Sequence, residues 1–257
     1  MSRIQNALEN KKAFIAFVTG GDPSLDVTEQ LIYAMEKAGA DLIEIGIPFS
    51  DPIAEGEVIQ SANERALAAG CTTDKLFELV ERVRTRVQIP LCFMTYLNPI
   101  FTYGKERFMK RCEEVGIDGI IVPDLPFEEK SELEQECQQH AIDLISLVAP
   151  TSNDRIRMIA KEAKGFLYCV SSLGVTGVRT AIKTDIKAMV TLAKEASTIP
   201  CMIGFGISTP ETAKTLARDS DGVIVGSAIV KIVANYGADS VSHVYEFVKS
   251  MKDAISE

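Results

Sequence analysis

The feature that most constrains the fold is an alternation of short apolar segments with longer segments of helical periodicity. Eight such pairs follow one another along the 257 residues, with no linker between them. Strands that alternate with helices of ten or more residues predict a parallel sheet. Eight of them predict a closed (β/α)8 barrel, the TIM barrel, whose typical size is ~250 residues; a doubly wound sheet would lack this regular count. We therefore expect one α/β domain over residues 1–257.

The junctions between the units repeat weakly, as expected for a barrel of similar parts. The helix-to-strand junction recurs as Gly39-Ala40-Asp41-Leu42-Ile43, Gly116-Ile117-Asp118-Gly119-Ile120 and Ser220-Asp221-Gly222-Val223-Ile224. A short extra helix at Ile4 to Leu8 has its apolar residues on one face and is expected to plug the bottom of the barrel. The pattern also predicts a helix over Val58 to Ala69, a loop at Asn98-Pro99, a helix cap at Ser208 and a break near Gly237.

Composition excludes several classes of protein. The net charge is −9 and no basic stripe is present, so nucleic acid is not an expected partner. No segment is long and apolar enough to span a membrane, and the first residues lack the layout of a signal peptide. The six cysteines are dispersed singly, which fits neither a metal site nor a disulfide framework and suits a reducing cytoplasm.

A carboxylate lies inside the second predicted strand, Asp41 to Ile47. Glu44 stands among apolar, largely β-branched residues, where a charge is costly unless it is paired or functional. The strand stops at Pro48, and more acids follow on the next loop. In a parallel barrel the carboxyl ends of the strands carry catalytic groups. The residues alone leave two readings of Glu44 open, a catalytic acid or a core carboxylate bonded to backbone amides.

Glycines follow the last three predicted strands. They occur in Gly174-Val175-Thr176-Gly177, Gly204-Phe205-Gly206 and Gly226-Ser227. Glycine lets backbone amides approach an anion closely, and Gly226-Ser227 opens a helix whose N-terminus attracts phosphate. Phosphate sites after strands seven and eight recur in this fold. The three groups together favour a phosphate site over ordinary turn glycines.

Other chemistries fit the sequence poorly. The two histidines, His140 and His243, lie in helical segments away from the strand ends. No nucleophile elbow, Walker loop or metal-spaced cluster is present, and no lysine clearly ends a strand, which weakens a Schiff-base aldolase. The remaining interpretation is acid–base chemistry by carboxylates on a small phosphorylated molecule.

The segment from Leu42 to Pro52, LIEIGIPFSDP, closely resembles the signature of the tryptophan synthase alpha chain family. Five further segments, which begin at Gly20, Tyr96, Gly174, Gly204 and Gly226, agree in order and spacing, so the resemblance covers essentially the whole chain. It implies a (β/α)8 barrel that cleaves indole-3-glycerol phosphate to indole and glyceraldehyde 3-phosphate by a retro-aldol reaction. It also implies no cofactor or metal in this chain, and a beta chain partner in an α2β2 tetramer that uses pyridoxal phosphate to make tryptophan.

The resemblance also assigns roles to residues. Glu44 is implied as the acid–base group and Glu55 as the second carboxylate, which contacts the indole N–H. The remaining residues are implied to bind substrate (Phe17, Tyr96, Tyr168 and Thr176), to bind phosphate (Gly177, Gly206, Gly226 and Ser227) or to contact the partner (Asp51). Asp51 could instead only cap its turn.

The chain departs from the family at the second carboxylate. Many members have Ala-Asp-Gly-Pro where this chain has Ala54-Glu55-Gly56-Glu57. The extra methylene moves the carboxylate outward by roughly one bond, and loss of proline is expected to free the loop backbone. Glu55 could therefore be catalytic or a solvated acid. Two alternatives to a partnered alpha chain also stay open: a stand-alone lyase that releases indole, and a weak subunit that mainly activates its partner.

Overall fold

The computed structural model describes residues 1–170, 182–204 and 206–256. Eight parallel strands, β1 to β8 in chain order, pair with their neighbours along the chain, and β8 pairs with β1 to close a barrel. The predicted (β/α)8 fold is therefore confirmed. The strands are Ala13–Thr19, Leu42–Gly46, Leu91–Met94, Gly119–Ile121, Asp143–Val148, Leu167–Val170, Cys201–Gly204 and Gly222–Val225.

Helices cover the outside of the barrel and are numbered α1 to α12 in chain order. They are Arg3–Leu8, Leu25–Lys37, Glu57–Ala68, Thr73–Arg84, Leu97–Tyr103, Lys105–Val115, Ser131–Gln139, Asn153–Glu162, Ile182–Ala196, Pro210–Ala217, Ser227–Tyr236 and Ser240–Ser256. Short 3-10 turns occur at Phe127–Glu129 and Gly237–Asp239. Gly237 has a φ of 54°, a conformation that favours glycine, and the predicted break in the last helical region lies there.

The extra helix α1 closes the N-terminal end of the barrel, as expected. Ser2 caps it through a capping box with Gln5. Ile4 and Leu8 are fully buried in the cluster that fills the barrel interior. The glycine that begins β4 makes room for this plug, because a Cβ on Gly119 would lie 2.8 Å from Ile4 Cδ1.

The repeated junctions have a common structural cause. In each, the aspartate before a strand accepts a hydrogen bond from the backbone N–H of an earlier neighbouring strand, at 2.7 to 2.9 Å: Asp41 from Phe14, Asp118 from Leu91 and Asp221 from Cys201. The backbone N–H of the same aspartate donates to the carbonyl of that residue. The repeat thus fastens adjacent strands at the bottom of the barrel, which is a structural and not a catalytic use of these acids.

Two local predictions were wrong. The residues after β3 form helix α5 where a loop was predicted, and Asp124 caps it by accepting from the Leu97 N–H at 3.0 Å. Pro99 is tolerated because N–H groups in the first turn have no intrahelical partner. Helix α10 is capped by Thr209, whose hydroxyl accepts from the Thr212 N–H, and not by Ser208.

Candidate active site

Three side chains that the sequence singled out point inward near the carboxyl ends of their strands. Phe17 on β1 is in register with Glu44 on β2, and Tyr168 lies on β6. All three are buried. Their inward direction follows from the alternation of each strand, since Ile15, Leu42 and Phe166 two residues before them fill the barrel interior.

Glu44 is fully buried and 0% exposed. Among the described residues no group donates a hydrogen bond to either of its carboxyl oxygens, so the backbone-amide reading is not supported there. Burial raises the pKa of the Glu44 carboxyl to about 8, because the charged form loses its solvation. Glu44 is therefore mostly protonated at pH 7 and can both give and retake a proton.

Glycines beside Glu44 leave room for the two aromatic rings. A Cβ on Gly46, the inward residue that follows Glu44 on β2, would lie 2.7 Å from Phe17 Cζ. A Cβ on Gly204, at the end of β7, would lie 2.5 Å from Tyr168 Cε1. These contacts are shorter than a van der Waals separation, so neither position accepts a side chain without moving a ring. The glycines thus fix where both rings lie.

Tyr168 and Glu44 are electrostatic neighbours. Burial, and after it the Glu44 carboxyl, raise the pKa of the Tyr168 phenol well above its ordinary value. The tyrosine therefore stays neutral and presents its ring as an apolar surface with one polar end. A buried acid near aromatic rings can protonate a bound aromatic molecule, because water is excluded from the acid.

The second carboxylate is held from helix α3. Glu55 is partly buried, and its Oε2 accepts a hydrogen bond of 2.7 Å from Asn63 Nδ2. Burial raises the pKa of the Glu55 carboxyl, and the Asn63 hydrogen bond opposes this shift. Tyr96, which is 3% exposed, accepts a hydrogen bond of 3.0 Å from the Ala54 N–H through its hydroxyl.

The position where the family often has proline is occupied by Glu57. Glu57 is the first residue of α3, directly after the cap residue Gly56, and an acid is favourable in the first turn of a helix. The loop before it is instead tied by side-chain hydrogen bonds. Asp51 lies exposed near the tip of the same loop, where it accepts a hydrogen bond from the Ser50 hydroxyl.

The glycine-rich loops lie in part within the described residues. Gly226 is the cap residue of α11, and as a glycine it makes no side-chain capping hydrogen bond. The first intrahelical bond runs from the Val230 N–H to the Gly226 carbonyl, so the Ser227, Ala228 and Ile229 N–H groups have no partner in the helix. Gly206 is exposed, has a φ of 71° and would place a Cβ in open space. Thr176 and Gly177 lie outside the described residues.

Other titratable side chains lie elsewhere or act structurally. Asp124 caps α5, His140 contacts Glu113, and the His243 ring stacks on Tyr236. Within residues 1–170, 182–204 and 206–256, no group of three His, Cys, Asp or Glu side chains could hold a metal ion. No described helix is long and apolar enough to cross a membrane.

Sequence reasoning missed the residues that support Glu55. Asn63 lies on the buried face of α3 with Ile59, Ala62 and Ala66, and it is 4% exposed. An asparagine at an apolar position of an amphipathic helix was the available signal, because a buried amide needs a partner. Gln60 was also missed; its Nε2 donates to the Glu55 backbone carbonyl at 2.7 Å.

Comparisons with known proteins agree with this geometry. The family model described as the tryptophan synthase alpha chain matches residues 4–256. The alpha chain from Alkaliphilus metalliredigens is 49% identical over 98% of this chain and 97% of its own length. The alpha chain from Halalkalibacterium halodurans is 50% identical over 91% of this chain and 89% of its own.

Solved structures give the same result. The alpha chain from Legionella pneumophila has a TM-score of 0.89 and 38% identity, covering 99% of this chain and 97% of that one. A chain of the tryptophan synthase complex from Pyrococcus furiosus has a TM-score of 0.86 and 32% identity, covering 94% of this chain and 98% of that one.

Proposed function

The chain belongs to the tryptophan synthase alpha chain family, and we propose that Glu44 is the acid–base group with which it cleaves indole-3-glycerol phosphate. The reaction gives indole and glyceraldehyde 3-phosphate and is the alpha reaction of tryptophan biosynthesis. The observation that carries the proposal is a fully buried carboxyl whose pKa is raised to about 8 and to which no described group donates a hydrogen bond.

The proposed steps need only one proton carrier. The protonated Glu44 carboxyl gives its proton to the indole ring carbon that bears the side chain, which leaves a carboxylate beside a cationic ring. That carboxylate then takes the proton of the adjacent hydroxyl. The carbon–carbon bond breaks as the aldehyde forms, its electron pair returns to the ring, and Glu44 regains its starting state.

Other residues are assigned supporting roles in this proposal. The Glu55 carboxylate accepts a hydrogen bond from the indole N–H and offsets the charge on the protonated ring. The residues proposed to line the indole and glycerol pocket are Phe17, Tyr96, Tyr168 and Thr176. The phosphate would bind at Gly177, Gly206, Gly226 and Ser227. The N–H groups at the start of α11 that have no partner within the helix support this site, because a helix N-terminus attracts an anion.

The pH dependence of kcat/KM tests the assignment of Glu44. The protonated acid is needed first, and its pKa is raised to about 8, so kcat/KM should be level near pH 7 and fall about tenfold per pH unit above 8. Indole release measured from pH 6 to pH 10 gives this profile, with circular dichroism at each pH to exclude unfolding. A profile that rises through pH 8 and stays high would contradict a protonated starting state.

A beta chain is the proposed partner, in an α2β2 tetramer. The Pyrococcus furiosus relative is described in an a2b2 complex with mutual activation. Exposed apolar side chains on the rim support docking here: Ile53 is 78% exposed on the loop after β2, and Phe101 is 44% exposed on α5 after β3. Asp51 lies on the same loop as Ile53. Pyridoxal phosphate would belong to the beta chain, and the alpha reaction would need no cofactor.

Turnover with and without a beta chain tests the partnership. We expect the isolated chain to release indole slowly, and an added beta chain to raise kcat at least about tenfold, since we propose that partner binding favours a closed site. The variant Ile53→Ser should require more beta chain for the same stimulation. High turnover alone with no stimulation would identify a stand-alone lyase instead. No turnover in either case would identify a subunit that only activates its partner.

We also propose that residues 1–257 form one domain, because the barrel closes between β1 and β8 and α12 packs on α2. A cytoplasmic location is proposed as well. The six cysteines are all buried and unbridged, as suits a reducing compartment.

A further inference from the structure

We propose that Asn63 is a positioning residue that sets the place and direction of the Glu55 carboxylate for the alpha reaction. The inference rests on the proposed role of Glu55 at the indole N–H. Its basis is one short contact, 2.7 Å from Asn63 Nδ2 to Glu55 Oε2, made by an amide that is itself 4% exposed.

The buried amide of Asn63 lowers the stability of the fold unless it makes a hydrogen bond. It shares the buried face of α3 with Ile59, Ala62 and Ala66, and this face packs on β1 and α11. A buried amide without a partner costs about 1–3 kcal/mol, whereas an apolar side chain would pack there at no such cost. Among the described residues, the hydrogen bond that the Asn63 side chain makes goes to Glu55. The hydrogen bond to the Glu55 carboxylate therefore explains why an asparagine, and not an apolar residue, occupies this buried position.

The helix that carries Asn63 is itself fixed. Arg65, two residues further along α3, makes a two-point ion pair with the buried Asp22 on the loop after β1, at 2.8 Å from Nε and 2.8 Å from Nη2. Gln60 holds the Glu55 backbone carbonyl at 2.7 Å. Glu55 is thus tied at its backbone and at its carboxylate to one anchored helix, which limits the directions its longer side chain can take.

The contact also suits the chemistry. An N–H donor at Oε2 favours the ionised carboxylate and opposes the effect of burial. Among the described residues, no donor is hydrogen-bonded to Oε1, so that oxygen is available for a substrate N–H. Asn63 would hold Oε2, while Oε1 would accept a hydrogen bond from the ligand. The hydrogen bond to Asn63 would also fix the position of the carboxylate, despite the extra methylene of glutamate.

The variant Asn63→Leu tests the proposal, because leucine has a similar volume and suits an apolar face. We expect kcat to fall about 10- to 30-fold with KM within about threefold, since a misplaced carboxylate affects the transition state more than binding. The thermal midpoint should not fall. The control Ser61→Leu puts the same side chain on the exposed face of α3 and should stay within about twofold of the parent.

A double-mutant cycle with Glu55→Ala separates positioning from a general effect on the helix. If Asn63 acts through Glu55, then Asn63→Leu should cost no further activity in the Glu55→Ala background. Additive losses, or full activity of Asn63→Leu beside an impaired Glu55→Ala, would overturn the role of Asn63 and leave the role of Glu55 intact. Full activity of Glu55→Ala itself would overturn the proposed function of Glu55, and the inference with it.

Discussion

Glu44→Gln should lower kcat for indole release at least about 1000-fold while it leaves the barrel folded. Glutamine keeps the shape of the protonated acid but can neither give nor take a proton, and general acid–base catalysis is worth about 10²–10⁴-fold for each proton transfer. The proposed steps use Glu44 for two transfers. Steady-state measurements with saturating substrate give the loss in kcat directly. Near-normal turnover in this variant would defeat the mechanism.

The same substitution should make the protein more stable, with a pH dependence that identifies the cause. The folded state holds the Glu44 proton up to a pKa of about 8, whereas the unfolded chain releases it near 4.5, the ordinary pKa of a glutamate. The unfolded state therefore binds fewer protons between these values, and stability is lost as pH rises from 4.5 to 8. Glutamine cannot ionise, so the variant escapes this loss, on the order of 3 kcal/mol at pH 7.

Urea unfolding at pH 4 and pH 7.5 measures this gain. Glu44→Gln should match the parent at pH 4 and exceed it at pH 7.5. The matched control is Glu78→Gln, an exposed glutamate on α4, which should change neither midpoint appreciably. An equal gain at both pH values would indicate better packing and not relief of a buried charge.

The barrel could be predicted from the sequence because its signals are local and repeated. The apolar period, the glycines that end helices and the Asp41, Asp118 and Asp221 junctions each lie within a few residues of the feature that they mark. Glu44 was found for the same reason, since a carboxylate inside a β-branched run contradicts its surroundings. Consistency between these local signals specifies the fold.

What could not be predicted depends on partners far along the chain. Helix α5 is capped by Asp124, 27 residues after the Leu97 N–H that it accepts from. Asn63 is a nearer case: its place on an apolar face indicates that it needs a partner, but only the fold shows that the partner is Glu55, eight residues before it. The need for glycine at 46 and 204 is likewise set by rings on other strands, Phe17 and Tyr168. Tertiary contacts of this kind leave no local pattern.

These ring contacts indicate that the shape of the aromatic pocket depends on the two glycines as well as on the two rings. Phe17 lies over Gly46, and Tyr168 lies over Gly204 at the end of β7. Tyr168 is 5% exposed, and its ring centroid lies 6.3 Å from that of Phe166 in the barrel interior. The ring therefore has little space to retreat, and any side chain at 204 must push it toward the mouth where the substrate is proposed to bind.

Gly204→Ala should consequently lower kcat/KM at least about 100-fold, mostly through KM, because the displaced ring occupies the indole pocket. The added methyl should also cost about 1–3 kcal/mol of unfolding free energy, as overpacking does in well-filled cores. Steady-state kinetics and urea unfolding of one preparation give both values. Unchanged KM in a folded variant would show that Tyr168 does not border the substrate.

The cause can be isolated by repeating the substitution where the ring is absent. Tyr168→Leu removes the atoms that lie 2.5 to 2.8 Å from the Gly204 Cβ position. In that background Gly204→Ala should cost little further stability, so the two substitutions should be strongly non-additive. Stability is the proper readout for this cycle, because Tyr168→Leu removes a proposed substrate contact by itself. If the losses of unfolding free energy are additive, the strain lies in the β7 backbone and not in the contact with Tyr168. The proposal that Gly204 makes room for the Tyr168 ring would then be wrong.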